Sequence, residues 1–182
     1  MFTIDADGSK KLKPLVIRKA FKPCAFGNKT GSQLGFQCRN NAKAWMSTEI
    51  YQGWLKEWDL DLQQKTPTQC ILLLQDNFSG HVVSYGLKCI CVENFTANLT
   101  AHVQPNDAGI IRCFKAHYHH HFYSCSIDCY KQGITPSDIY AINQPEAMHL
   151  SSSAWNAVDM TTIQNCWDKA RILDPVQDLL TP

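Results

Sequence analysis

No stretch of this sequence is apolar for anything near the ~20 residues that a membrane-spanning helix needs. The N-terminus also lacks the basic-then-apolar run of a secretory signal, since Met1 is followed by Phe-Thr-Ile-Asp. Charge of one sign is missing too. Seventeen Lys plus Arg against 16 Asp plus Glu leave a net charge of +1, so any nucleic-acid surface is local. No internal repeat or second domain is visible. No CxxC spacing occurs, although there are nine cysteines. Their odd number, and their positions inside apparent strands and helices, exclude a secreted disulfide framework. They read as reduced, mostly buried thiols of an intracellular protein. The sequons at Asn94 and Asn98 are then chance matches. What remains is globular: 45% hydrophobic and 18% charged over 182 residues, the size of one domain.

The run Ile71-Leu72-Leu73-Leu74 ends in Gln75 and Asp76, followed by Asn77-Phe78-Ser79-Gly80-His81. Apolar residues on both parities predict an interior strand of a helix-covered sheet. Asp76 then lies at the strand's carboxyl end, where α/β sheets build sites. An Asx turn closing the strand is the plainer reading. Gln104-Pro105-Asn106-Asp107-Ala108-Gly109-Ile110 opens a helix with a second carboxylate at its mouth, for which the plain role is an N-cap. Thirty residues lie between Asp76 and Asp107.

Taken in order, residues 1–4, the turn Asp5-Ala6-Asp7-Gly8 and the segment 11–18 read as a hairpin. Lys10, Lys11, Lys13, Arg18, Lys19 and Lys22 are six cations with no acid among them: a solvated strand face, or a phosphate-contacting strip. Residues 25–43 read as a loop. Ser47 or Thr48 caps a helix whose Ile50, Trp54, Leu55, Trp58 and Leu62 face a core, the Trp residues packing rather than stacking bases. A strand follows at 87–92. After Asp107, a helix buries Ile110, Ile111, Phe114, Tyr118 and Phe122, with Arg112, Lys115 and His119-His120-His121 on or near its other faces. Those histidines with Cys125 and Cys129 resemble a zinc set, but neighbours on one helix point about 100° apart, so no such site is expected. Residues 135–173 read as helical, the second segment capped near Thr161.

The two carboxylate stretches resemble the pogo/Tigger branch of the mariner superfamily of cut-and-paste transposases, the DDE superfamily endonucleases. In that family, a strand ending in L-D-N-F-x-x-H carries the second catalytic Asp. A Q-P-x-D-x-G-I helix start about thirty residues on carries the third. Asp76 and Asp107 match them. The resemblance extends to the A-D-G-S-x-K-L-x-P-L-V-I hairpin, Asn143-Gln144-Pro145-Glu146-Ala147-Met148, Ala154-Trp155-Asn156 and Asn165-Cys166-Trp167-Asp168-Lys169-Ala170. It departs at residues 96–100, where the family's P-P-N-T-T loop becomes Thr-Ala-Asn-Leu-Thr. The family also prefers Arg where the histidines stand.

The resemblance implies an α/β fold: an RNase H-like mixed sheet flanked by helices, lacking here its first, central strand. The family's first Asp belongs to that strand; Asp5, Asp7 and Glu49 do not match it, and no helix-turn-helix segment precedes the hairpin. Residues 1–175 are expected as an N-terminally truncated endonuclease domain and 176–182 as a tail. The family cleaves and joins phosphodiesters with two divalent ions, Mg²⁺ or Mn²⁺, held by carboxylate oxygens. Asp76 and Asp107 are the implied catalytic and metal residues, with His81 orienting water or phosphate, or packing a helix start. Lys10, Lys11, Lys13, Arg18, Arg112 and Lys115 are the candidate DNA contacts. Expected are DNA as partner, a possible homo-oligomer, a nuclear location, and weak metal binding with no cleavage. A domesticated DNA- or chromatin-binding module, like the jerky and centromere protein B relatives, or a non-functional remnant, stays open beside the endonuclease reading.

Overall fold

The computed structural model describes residues 1–27, 29–96 and 103–172. The loop that departs from the family pattern falls largely outside them, as does the 176–182 tail. The chain opens with the expected hairpin: Ile4 bridges Lys11 antiparallel, and Leu12 N–H donates to Thr3 O at 2.9 Å. Its turn is tied by Asp5 Oδ2, which accepts from Ser9 Oγ and Lys10 N–H, and by Asp7 Oδ1, which accepts from Ser9 N–H. Gly8 takes a φ of +77° there.

The second hairpin arm runs into β1 (Leu15–Arg18). β1 pairs in parallel with β2 (Gln37–Asn40), from Leu15 opposite Gln37 to Arg18 opposite Asn40. Residues 25–43 are therefore not all loop. β2 shows no apolar alternation to announce itself; its pairing with β1 and the buried Phe36 before it hold it in place.

Helix α1 (Thr48–Lys65) starts at Ser47, whose hydroxyl accepts from Ile50 N–H. Tyr51, Trp54 and Leu55 are its buried face, joined by Leu15 and Ile90 in one core cluster, with Ile50, Trp58 and Leu62 half-buried against it. The Trp side chains pack, as expected. β3 (Ile71–Gln75) pairs in parallel with β4 (Ile90–Asn94). Among the described residues no ladder joins β1–β2 to β3–β4, so the strands form two two-stranded sheets. β3 is thus an edge rather than an interior strand. Leu73 packs on the α1 cluster, while Leu72, on the opposite face, is 60% exposed.

Asn106–Ile110 is a π-helical turn leading into α2 (Ile111–Lys131). Of the expected α2 stripe, Ile110 is fully buried and the rest are half-buried. α2 ends at Gly133 with φ +82°. Residues 135–143 form turns rather than helix, leaving Ile139 and Ile142 outside it. α3 (Gln144–Ala157) then begins with a capping box between Asn143 and Glu146. α4 (Met160–Ala170) is capped by Asp159, close to the expected Thr161.

Ile110, Trp155, Val158, Ile163 and Cys166 form a second core, on which Phe2 and Ile4 pack. The Phe2 ring stacks 4.4 Å from that of Trp155, and Trp155 Nε1–H donates to Leu12 O. Only Cys89 and Cys166 of the nine cysteines are buried; Cys24, Cys70, Cys91 and Cys125 are exposed, and all are free thiols. The mostly-buried expectation fails because apolar runs such as β4 are covered on one face only, leaving Cys91 outside. None of the described helices is long and apolar enough to cross a membrane.

Candidate functional site

Gln75 ends β3 as a buried amide, opposite Asn94 at the end of β4. A polar residue tolerates burial when its donors and acceptors are met. Gln75 Nε2 donates to Asn94 Oδ1 at 2.8 Å and to His81 O at 2.9 Å, and its Oε1 accepts from the Tyr51 hydroxyl. Burial, with the nearby Tyr85 and the negative charge of Asp76, pushes Tyr51 up to about 12, so its phenol stays protonated. This network fixes the carboxyl ends of both strands. The sequence pointed to no site role for Tyr51, and to Asn94 only as a chance sequon. The available signal was a Gln closing a run of four aliphatics.

Asp76 follows directly, its side chain 36% exposed. Oδ1 accepts from Phe78 N–H at 3.3 Å, the Asx turn expected at a strand end, and lies 2.6 Å from His81 Nδ1. The loop between them is tight. His81 N–H donates to Phe78 O, and a Cβ on Gly80 would fall 2.5 Å from the Phe78 ring, so a side chain there would push that ring aside. The His81 ring lies against Tyr51, centroids 4.5 Å apart, and is 15% exposed.

Asp107 is exposed and sits inside the π-helical turn, where Ile111 N–H reaches back to Asn106 O. It is not an N-cap, because no side-chain hydrogen bond caps this turn. Gly109, at φ 175° and ψ −22°, leaves the helical path here, so the turn is a kink joining Asp107 to α2. Gly109 lets the turn press on α4: a Cβ there would stand 2.8 Å from Cys166 Sγ.

The donor chemistry suits a hard divalent cation in part. Among the described residues no group donates to Asp76 Oδ2 or to the Asp107 carboxylate. No cluster of three or more His, Cys, Asp or Glu among the described residues is placed to hold a metal, His119–His121, Cys125 and Cys129 included. Two oxygen donors fit one weakly held ion better than a tight pair.

The candidate cations divide. Lys10, Lys13, Arg112 and Lys115 are exposed, with Lys13 Nζ at 3.5 Å from Gly35 O. Lys11 instead donates to Trp155 O, Asn156 O and Val158 O, at 3.0, 3.1 and 2.6 Å. Arg18 is only 4% exposed; its guanidinium lies over the Phe26 ring and donates one N–H to Phe21 O.

Comparison with known proteins supplies the frame for these residues. The chain is 28% identical over 169 residues to major centromere autoantigen B of Homo sapiens, covering 91% of this chain and 26% of that protein. It is 25% identical to Tigger transposable element-derived protein 4 of Mus musculus, covering 93% of this chain and 31% of that protein. It is 26% identical to CENP-B homolog protein 2 of Schizosaccharomyces pombe, covering 98% of this chain and 36% of that protein. The chain thus spans about a quarter to a third of the length of these relatives. No solved structure matches. Residues 1–167 match the DDE superfamily endonuclease family over nearly the whole chain, the family that the two carboxylate motifs resemble, and the chain belongs to it.

Proposed function

We propose that this chain is a transposase-derived DNA-binding domain that carries two of its family's catalytic carboxylates, Asp76 and Asp107, and does not cleave DNA by itself. The observation that carries this reading is the agreement of family and site: a DDE endonuclease match over residues 1–167, with Asp76 leaving the carboxyl end of a strand and Asp107 in a π-helical turn. Asp76 Oδ2 and the Asp107 carboxylate are the groups that would hold Mg²⁺ or Mn²⁺. When bound, such an ion supplies charge stabilisation at a phosphodiester and activates an oxygen nucleophile. The protein's own part is to fix Asp76 through the Asx turn and His81, and to hold the strand ends through Gln75, Asn94 and Tyr51. Two carboxylates alone would hold such an ion weakly.

DNA contact falls to Lys10, Lys13, Arg112 and Lys115, which are exposed, and not to Lys11, whose ammonium is bonded to carbonyls inside the fold, or Arg18, which is buried against Phe26. An RNase H-like arrangement within a domain of residues 1–175 suits the two small parallel sheets. A nuclear protein able to self-associate suits this reading.

Titrating a duplex with this chain at several salt concentrations tests it. A log–log slope of several units means phosphate contacts by several cations. Supercoiled plasmid incubated with Mg²⁺ or Mn²⁺ should remain uncut. Nicking abolished by Asp76→Ala would restore the endonuclease reading, and binding with no salt dependence would leave a remnant without function.

A further inference from the structure

We propose that His81 is a positioning residue for Asp76: its Nδ1–H holds Oδ1, which leaves Oδ2 as the oxygen facing a divalent cation. This rests on the metal-site reading above and deepens it. Oδ1 has two neighbours that can donate, Phe78 N–H at 3.3 Å and His81 Nδ1 at 2.6 Å, while no described group donates to Oδ2. A carboxylate with both donors on one oxygen has its rotation fixed and its other oxygen available.

The imidazole is held as firmly as the carboxylate. Its backbone N–H is bonded to Phe78 O, and its carbonyl accepts from Gln75 Nε2. The ring stands between Tyr51, at 4.5 Å, and the edge of Phe78, at 5.3 Å. The Asx turn through Phe78 N–H is longer and comes with any strand-ending Asp. It would close the turn without His81. The shorter contact is therefore the one that sets the carboxylate's angle. Partners behind a metal ligand of this kind typically change metal affinity 10–100-fold when removed.

The test uses this whole chain and Mn²⁺, with binding read by calorimetry and by loss of the free-ion paramagnetic resonance signal. His81→Phe keeps a ring between Tyr51 and Phe78 but has no donor; His81→Asn keeps a side-chain N–H near the Nδ1 position. His81→Phe should weaken Mn²⁺ binding 10–100-fold, and His81→Asn should stay close to the wild type. Equal binding by wild type and His81→Phe, with Asp76→Asn weaker, overturns the positioning role and leaves the metal site standing. Equal binding by wild type and Asp76→Asn overturns the metal site and the positioning role together. Should His81→Phe fail to fold, ¹⁵N spectra of the wild-type histidines decide: a protonated Nδ1 on His81 supports the role, and an unprotonated Nδ1 sinks it.

Discussion

Asp59 sits on the packed face of α1, 5% exposed, where an uncompensated carboxylate would be costly. It is compensated: Oδ1 accepts from Cys89 N–H at 2.8 Å and Lys88 N–H at 3.1 Å, and Oδ2 accepts from Gln63 Nε2 at 2.7 Å. Burial raises its pKa, but these donors outweigh burial and hold the carboxyl below its usual value. A depressed folded-state pKa contributes stability above the unfolded value near 3.8, and this is lost as pH falls through the folded value. Asp59→Asn should therefore cost ~1–3 kcal/mol at pH 7, with the gap to wild type closing below about pH 4; urea unfolding at several pH values reads it. Gly109 gives a second case. Gly109→Ala should destabilise by ~1–3 kcal/mol through its contact with Cys166 Sγ, and Gly109→Ala with Cys166→Ala should recover most of the loss. A double-mutant cycle with no coupling would contradict the contact.

Lys11 shows why the basic strip was only half legible. Its spacing among Lys10, Lys13 and Arg18 reads as a charged strand face, yet its ammonium closes the C-terminal end of α3, where carbonyls lack helical partners and the dipole favours a cation. Lys11→Met should lower stability by about 1 kcal/mol and leave the salt slope of DNA binding unchanged. Lys13→Met should do the reverse, reducing the slope by about one. A slope that falls with Lys11→Met would return that residue to the DNA surface. The hairpin, α1 with its Ser47 cap, β3 and β4 were readable, because each carries its signal locally; the Asn143 capping box that starts α3 was missed inside a segment read as helical throughout. β2 was not readable, since Gln37-Cys38-Arg39-Asn40 owes its shape to β1 across the fold. Asp76 and Asp107 could be singled out by motif. The Gln75–Asn94–Tyr51 network could not, because it assembles three elements that sequence spacing does not relate.

At the scale of the molecule, the described residues form two separate parallel sheets and leave β3 with a free edge beside the exposed Leu72. Such an edge invites another strand. The mean mass in solution should rise with protein concentration, and Leu72→Lys should suppress the rise; sedimentation equilibrium measures both, and a monomer at every concentration would mean the edge is otherwise guarded. The hairpin's support has a different implication. Lys11 reaches Val158, 147 positions away, and Phe2 lies on Trp155. On a ribosome adding roughly 5–20 residues per second, the wait between these partners is on the order of ten seconds. Throughout it the hairpin has no floor, and Phe2 and Ile4 are open to chaperones and to other nascent chains. A chain stopped at residue 150 should be cut by protease near its N-terminus. Release of residues 151–170 should then close that site, so that the later helices decide when the earlier hairpin is safe.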